Sequence, residues 1–430
     1  MEQLIGIKNV QKRSFSYVCS LVVLYLLALC SVFSPIRGLA SFNAIWASLL
    51  SAWFLFTLID TPIFILYPTR FRLLMFVYII YTISVAYITG NGAIGNRYFE
   101  LAQIPLFYMA YEKNKSIKRS NDSFWLIALL TPFVFYTGVV TFFALLRDPW
   151  ISRSIATKEI GTEVYLRLGV GSYEYIYFLV IVFGILLFVL YNSNAPLKNK
   201  NNFAVIAVLV AFAIIITMAN FSTAFILLIT CVFMRIFAPR LKTKYWLLYI
   251  IGGIVSLYLL SNVFSLLLDS LTSLLGNSLN SSRISEIKEL FLKNQTGDSL
   301  DSRNDKWLLS VNAFLDNPFF GILTKPLSYA DGFFQGFGQH SQILDTFALY
   351  GAGVGTLQIY MFIKPFISRL KSTKGYIPGF TLLIMILFFT MVTFDNITPS
   401  IGFAAFFIFP TVYDWMQKRE LASKTRLKML

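Results

Sequence analysis

Ser14–Ser34 reads SFSYVCSLVVLYLLALCSVFS, and Lys8, Lys12 and Arg13 stand before it. The run carries no charge. A helix rises about 1.5 Å per residue, so about 20 apolar residues cross the roughly 30 Å hydrocarbon core of a bilayer. The run is too long for the apolar region of a signal peptide, and no A-x-A site follows it. It therefore predicts a retained first membrane helix. Working outward, similar segments fall at 39–59, 71–89, 98–111, 122–146, 173–191, 203–219 and 221–237. Four more fall at 245–268, 341–363, 376–394 and 397–413, with a tight turn near Asn220 between the seventh and eighth segments. The expected fold is an all-α polytopic integral membrane protein of about twelve transmembrane helices.

Composition supports lipid as the solvent. Of 430 residues, 57% are hydrophobic and 13% charged, against about 25% charged in soluble domains. Aromatic residues make up 17%, which suits membrane-interface anchoring. Cys19, Cys30 and Cys231 all lie in apolar segments, so neither a disulfide framework nor a Cys/His metal site is expected.

Alternate connections of such a bundle lie on opposite sides of the membrane. One side then holds 24 of the 36 Lys and Arg residues, while the short turns of the other hold only Arg37 and Arg97. Positive-inside bias predicts that both termini are cytoplasmic. The net charge of +15 then reads as topology and as attraction to anionic inner-leaflet lipid, and no nucleic-acid partner is required.

Two outer connections are long, Arg147–Ser172 and Asp269–His340. The second divides the chain into helices and loops over 1–268, a large extracytoplasmic loop over 269–340, and helices with a tail over 341–430. Within it, Ile284, Ile287, Leu290 and Phe291 have helical spacing, as do Trp307, Leu308, Val311, Phe314 and Leu315. These predict two amphipathic helices on the outer membrane surface or over the bundle. Ser302 with Asp305 resembles a capping box for the second, and Asn317-Pro318 should end it. No internal repeat is evident.

The chain has no phosphate-binding G-x-x-x-x-G-K-[ST] and no D-x-D of the kind that holds a metal–diphosphate. Gly90–Gly95 matches G-x-G-x-x-G but has no strand before it, so it reads as a hairpin turn. His340, the only histidine, ends the large loop just before the tenth segment. There it is either a general base or an exposed loop residue. Arg147, Arg153, Arg167, Arg283 and Arg303 lie in the outer loops. Their guanidinium groups suit a diphosphate or lipid headgroups. Arg303 is expected at the start of the second amphipathic helix. Asp395, with Asn396, ends the eleventh segment, and a carboxylate near a bilayer is a functional candidate. Tyr173, at the start of the sixth segment, is another. Asp345 does not share a helix face with His340 and is a poor orienting partner for it.

The stretch from Arg303 to Gly355 resembles the O-antigen polymerase and ligase superfamily (Wzy and WaaL). The resemblance rests on Arg303-Asn304-Asp305-Lys306-Trp307, Asn317-Pro318-Phe319-Phe320-Gly321-Ile322, His340-Ser341-Gln342-Ile343-Leu344-Asp345 and Tyr350-Gly351-Ala352-Gly353-Val354-Gly355. Trp307 stands where the ligases carry Leu, and Leu323 where the usual turn has Gly. The resemblance implies a GT-C-like glycosyltransferase of the bacterial cytoplasmic (inner) membrane with an extracytoplasmic active site. Donor and acceptor would be undecaprenyl-diphosphate-linked glycans, with a chain-length regulator and a flippase as partners. His340 would be the base, and Arg303 and Arg167 would hold the diphosphate. No metal or other cofactor is called for. Polymerase is the favoured expectation and ligase the alternative. A lipid-linked oligosaccharide flippase is the alternative of another class, which the scarcity of charges within the apolar segments disfavours.

Overall fold

The computed structural model describes residues 14–37, 39, 42–89, 92–156, 161–192, 200–237, 273, 298–324, 341–372 and 377–418. Among the described residues the chain is helical, with no strand. Helices α1 (Phe15–Val32), α2 (Ser34–Arg37), α3 (Phe42–Asp60), α4 (Pro62–Leu66) and α5 (Arg70–Thr89) form the first group. The Ser14 hydroxyl accepts the Tyr17 N–H at 3.1 Å and so caps α1, which begins where the apolar run begins. Helices α6 (Gly92–Ser116) and α7 (Ser120–Arg147) follow, joined by a turn in which Lys118 takes a positive φ of 60°. Two short helices, α8 (Ile151–Ala156) and α9 (Glu163–Leu168), lead to α10 (Tyr173–Asn192). Helices α11 (Lys200–Met218) and α12 (Ser222–Phe237) are joined through Asn220 at φ 55°, the expected tight turn.

After α13 (Asp298–Asp316) come a 3₁₀ turn (Gly321–Thr324), α14 (Gln342–Ser372) and α15 (Ile377–Phe394). The last helix, α16 (Pro399–Phe403), continues through a π turn (Ala404–Ile408) to residue 418.

Four helices are long and apolar enough to cross a membrane: Phe15–Val32, Ser120–Arg147, Tyr173–Leu190 and Gln342–Leu370. Outward faces of the bundle are apolar as well. Leu129, Val139 and Phe143 on α7 are exposed, as are Phe203 and Val210 on α11. Such faces would be costly in water and suit contact with lipid. The chain has the make-up of a helical membrane protein. Phe362 and Phe366 of α14, Phe388 of α15 and Phe406 and Phe409 of α16 interlock as ring pairs at the bundle centre.

Polar contacts sort the helix ends into two groups. At one end, Asp395 meets Tyr177 and Asn220 donates to the Pro149 carbonyl. At the other, Lys113 meets Asp60 and Lys115 meets Asp414. Eleven of the twelve apolar segments fall on helices, and 245–268 lies outside the described residues.

Three expectations are corrected. The fourth segment is longer than 98–111, because Gly92 already opens α6; Gly92–Gly95 is therefore the first turn of a helix and no loop. Helix α13 begins at Asp298, so Ser302 lies inside it and does not cap it. The tenth segment is not one straight helix. Gly351 has φ 69° and ψ −174°, a backbone region open essentially to glycine alone. There α14 folds back on itself: Thr346 donates to Gln358 at 2.8 Å, although a straight helix would place residues twelve apart about 18 Å from each other. Residues 342–350 form a short arm ahead of the stretch that runs on from 352.

Candidate functional site

Helix α10 opens after the non-helical pair Gly171-Ser172, where the Ser172 carbonyl accepts the N–H groups of Tyr175 and Ile176. This start points Tyr173 and Tyr177, one turn apart, the same way. The Tyr173 hydroxyl donates to the Asn396 carbonyl, and the Tyr177 hydroxyl donates to the Asp395 carboxylate at 2.6 Å. The two rings lie 4.8 Å apart, and Phe221 packs on both. Between the tyrosines, Glu174 pairs with Arg37, and Ser400 donates to the Glu174 carbonyl at 3.2 Å. Asp395 and Asn396 form the non-helical link between α15 and α16.

The arm of α14 starts at this link. The Gln342 N–H donates to the Asp395 carbonyl at 3.1 Å. Along the arm, Asp345 is buried and accepts the Ser310 hydroxyl of α13 at 2.7 Å. Trp307 of α13 packs on Phe394 at the end of α15, with ring centroids 5.9 Å apart. Helix α13 therefore ties the arm and the Asp395 link together.

The expected stop at Asn317-Pro318 is present, since α13 ends at Asp316. The turn then closes through the Gly321 N–H to the Asn317 carbonyl at 2.9 Å. Its Pro318 carbonyl accepts the Ala352 N–H at 2.7 Å, just past the fold-back. Gly321 takes φ 68°, and a Cβ there would overlap the Leu349 carbonyl; a Cβ on Gly351 would overlap the Phe319 carbonyl. Two glycines thus let two stretches of main chain touch directly. Next to them, Phe319 and Phe320 are exposed.

Of the residues expected from sequence, Tyr173 and Asp395 come together in this cluster. Arg147 is exposed at the end of α7, Arg153 is half-buried on α8, and Arg167 is exposed on α9. Helix α9 packs on α2, and α8 on α7 and α10. These three arginines belong to the unit beside the cluster. Arg303 lies in the second turn of α13, so it does not stand at the helix start as expected, and the dipole argument for an anion there is weaker. His340 and Arg283 lie outside the described residues. Sequence reasoning missed Tyr177, Arg37, Glu174 and Gln342. The i, i+4 spacing of Tyr173 and Tyr177 was the one legible signal. Among the described residues, no three His, Cys, Asp or Glu side chains converge as a metal-binding group.

A second polar cluster occupies the opposite end of the bundle. Buried Lys113 reaches Ser20 at 2.9 Å, Thr57 at 3.3 Å and Asp60 at 3.5 Å. Arg369 is buried among the rings of Tyr108, Tyr111, Phe409 and Tyr413, and donates to the Pro365 carbonyl at 2.8 Å. Asp414 accepts from Tyr111 at 2.7 Å and pairs with Lys115 at 2.9 Å. By hydropathy alone Lys113, Lys115, Arg369 and Asp414 fall in connections or the tail; in the structure they belong to helices that run on past the apolar segments.

No protein-family model matches the chain, and no curated protein matches it.

Proposed function

We propose that this chain is a metal-independent glycosyltransferase of the O-antigen polymerase type, built on about twelve membrane helices with a GT-C-like arrangement. It would join undecaprenyl-diphosphate-linked oligosaccharide units on the outer face of a bacterial cytoplasmic membrane, with both termini inside. One observation carries the reading. The Asn317–Gly321 turn and the Tyr350–Gly355 stretch, which the resemblance singled out separately, form a single packed unit, and the arm leading from that unit ends against Asp395.

His340 stands two residues before that arm in the sequence. In the proposed reaction, an acceptor-sugar hydroxyl oxygen attacks the anomeric carbon of the donor. The new carbon–oxygen bond forms as the bond from the anomeric carbon to the diphosphate oxygen breaks. The electron pair leaves with undecaprenyl diphosphate, and the hydroxyl proton passes to His340. Arg303 and Arg167 would stabilise the charge growing on the leaving group. A single displacement inverts the anomeric centre. In the ligase alternative, the same chemistry uses a lipid A-core acceptor.

The test uses purified protein and lipid-linked repeat units. His340→Ala should abolish chain growth while the protein remains folded and monodisperse; full activity would sink the mechanism. EDTA should leave the rate unchanged, whereas inhibition reversed by Mg²⁺ would overturn arginine-based stabilisation. A transporter would be indicated instead if deletion emptied the outer leaflet of lipid-linked units; accumulation there supports the polymerase.

A further inference from the structure

We infer that Gly321 and Gly351 are positioning residues for this reaction, forming a main-chain lock that holds the 342–350 arm at the Asp395 link. The inference rests on the polymerase reading and goes beyond it, because neither glycine carries a reactive group. Three observations converge. At each glycine the backbone has a positive φ, and each leaves no room for a Cβ because the other strand of the lock lies against it. The Ala352 N–H donates to the Pro318 carbonyl, so the turn from α13 braces the helix where it is interrupted at Gly351. The arm is then tied along its length: Thr346 to Gln358 across the fold, Asp345 to Ser310 of α13, and the Gln342 N–H to the Asp395 carbonyl.

The tie between Thr346 and Gln358 requires the fold-back. If 342–372 straightened, Thr346 and Gln358 would separate to about 18 Å, and the Gln342 end would leave Asp395. A side chain on either glycine forces the two main chains apart, and the displacement acts at the far end of the arm. Errors of about 1 Å in the placement of reacting groups cost about 100-fold in rate.

The lock can be read independently of activity. A Cβ on Gly355 would lie 2.9 Å from the Phe347 ring, close enough for a disulfide in a Phe347→Cys/Gly355→Cys protein. In a straight helix, eight residues would hold the pair about 12 Å apart, beyond disulfide reach. The full-length protein in nanodiscs should therefore form this disulfide. Adding Gly351→Ala or Gly321→Ala should lower its yield. In the single glycine variants without the cysteines, kcat for chain growth should fall about 100-fold with KM for the lipid-linked acceptor unchanged. Thr346→Val, which removes only the tie across the fold, should lower kcat in the same sense but less, and it serves if the glycine variants do not fold. A glycine variant that loses the disulfide yet keeps full kcat overturns the inference, as does one that keeps the disulfide and loses activity. Wild-type protein that elongates nothing overturns the polymerase reading itself, and the inference falls with it.

Discussion

Lys113 shows how much a single residue can carry in this bundle. Its ammonium is buried between α1 and α3, with Asp60 as its charged partner and two hydroxyls completing its shell. Removing one member of a buried pair leaves the other charge uncompensated, which costs roughly 3–5 kcal/mol. Asp60 keeps some contact with solvent, so the lower part of that range applies. Lys113→Met should lower the Tm in detergent, and Lys113→Met/Asp60→Leu should recover part of the loss. A double variant no more stable than the single one would show that the pair is not what holds these helices. The sequence displayed Lys113 as one of several basic residues after an apolar run. Nothing local marked it as buried, since Ser20, Thr57 and Asp60 come from two other helices. The same is true of Asp395: its position at a segment end was legible, but its Tyr177 partner lies 218 positions away.

At the scale of elements, most helices begin and end where the apolar pattern does, because each must satisfy its own backbone within the segment. The exceptions are set by contact with neighbours. Helices α6 and α16 run on past their apolar stretches, and Lys113, Lys115 and Asp414 on those extensions find partners. They also approach closely where they cross, since a Cβ on Gly402 would lie 2.7 Å from Ile104. Small residues allow such approach between membrane helices. Gly402→Leu should therefore wedge the pair apart and reduce the yield of monodisperse protein, while Gly353→Leu, at a glycine with open space around it, should not. Equal yields would show that the crossing tolerates a side chain. Helix α14 departs furthest from its pattern. Its hydropathy is continuous through Gly351, and hydropathy carries no information about φ. Gly351 belongs to the Tyr350–Gly355 motif of the resemblance, yet the motif alone does not say that the chain reverses there.

For the whole molecule, the alternation of Lys- and Arg-rich connections predicts orientation. Reporter fusions at 193–199 and after 418 should read cytoplasmic, and an insertion at 157–160 should read extracytoplasmic. An opposite result at 157–160 would remove Arg147, Arg153 and Arg167 from the proposed reaction. Contacts among the described helices agree with a bundle that has two distinct ends: Lys113, Arg369 and Asp414 gather at one, and Tyr173, Asp395 and the α14 arm at the other. The candidate chemistry and the buried basic residues are therefore separated by the length of the bundle. By itself, the sequence determined that the chain is helical, where its apolar segments lie, and which connections are basic. Those properties follow from hydropathy and charge read along the chain, one helix at a time. Only the tertiary structure decided that α14 folds back at Gly351, that the Asn317–Gly321 turn closes on that fold, and that Tyr173 and Tyr177 meet the Asp395 link. The physical reason is that these features depend on main chains touching and side chains bonding between distant segments, and no periodicity within a segment encodes them.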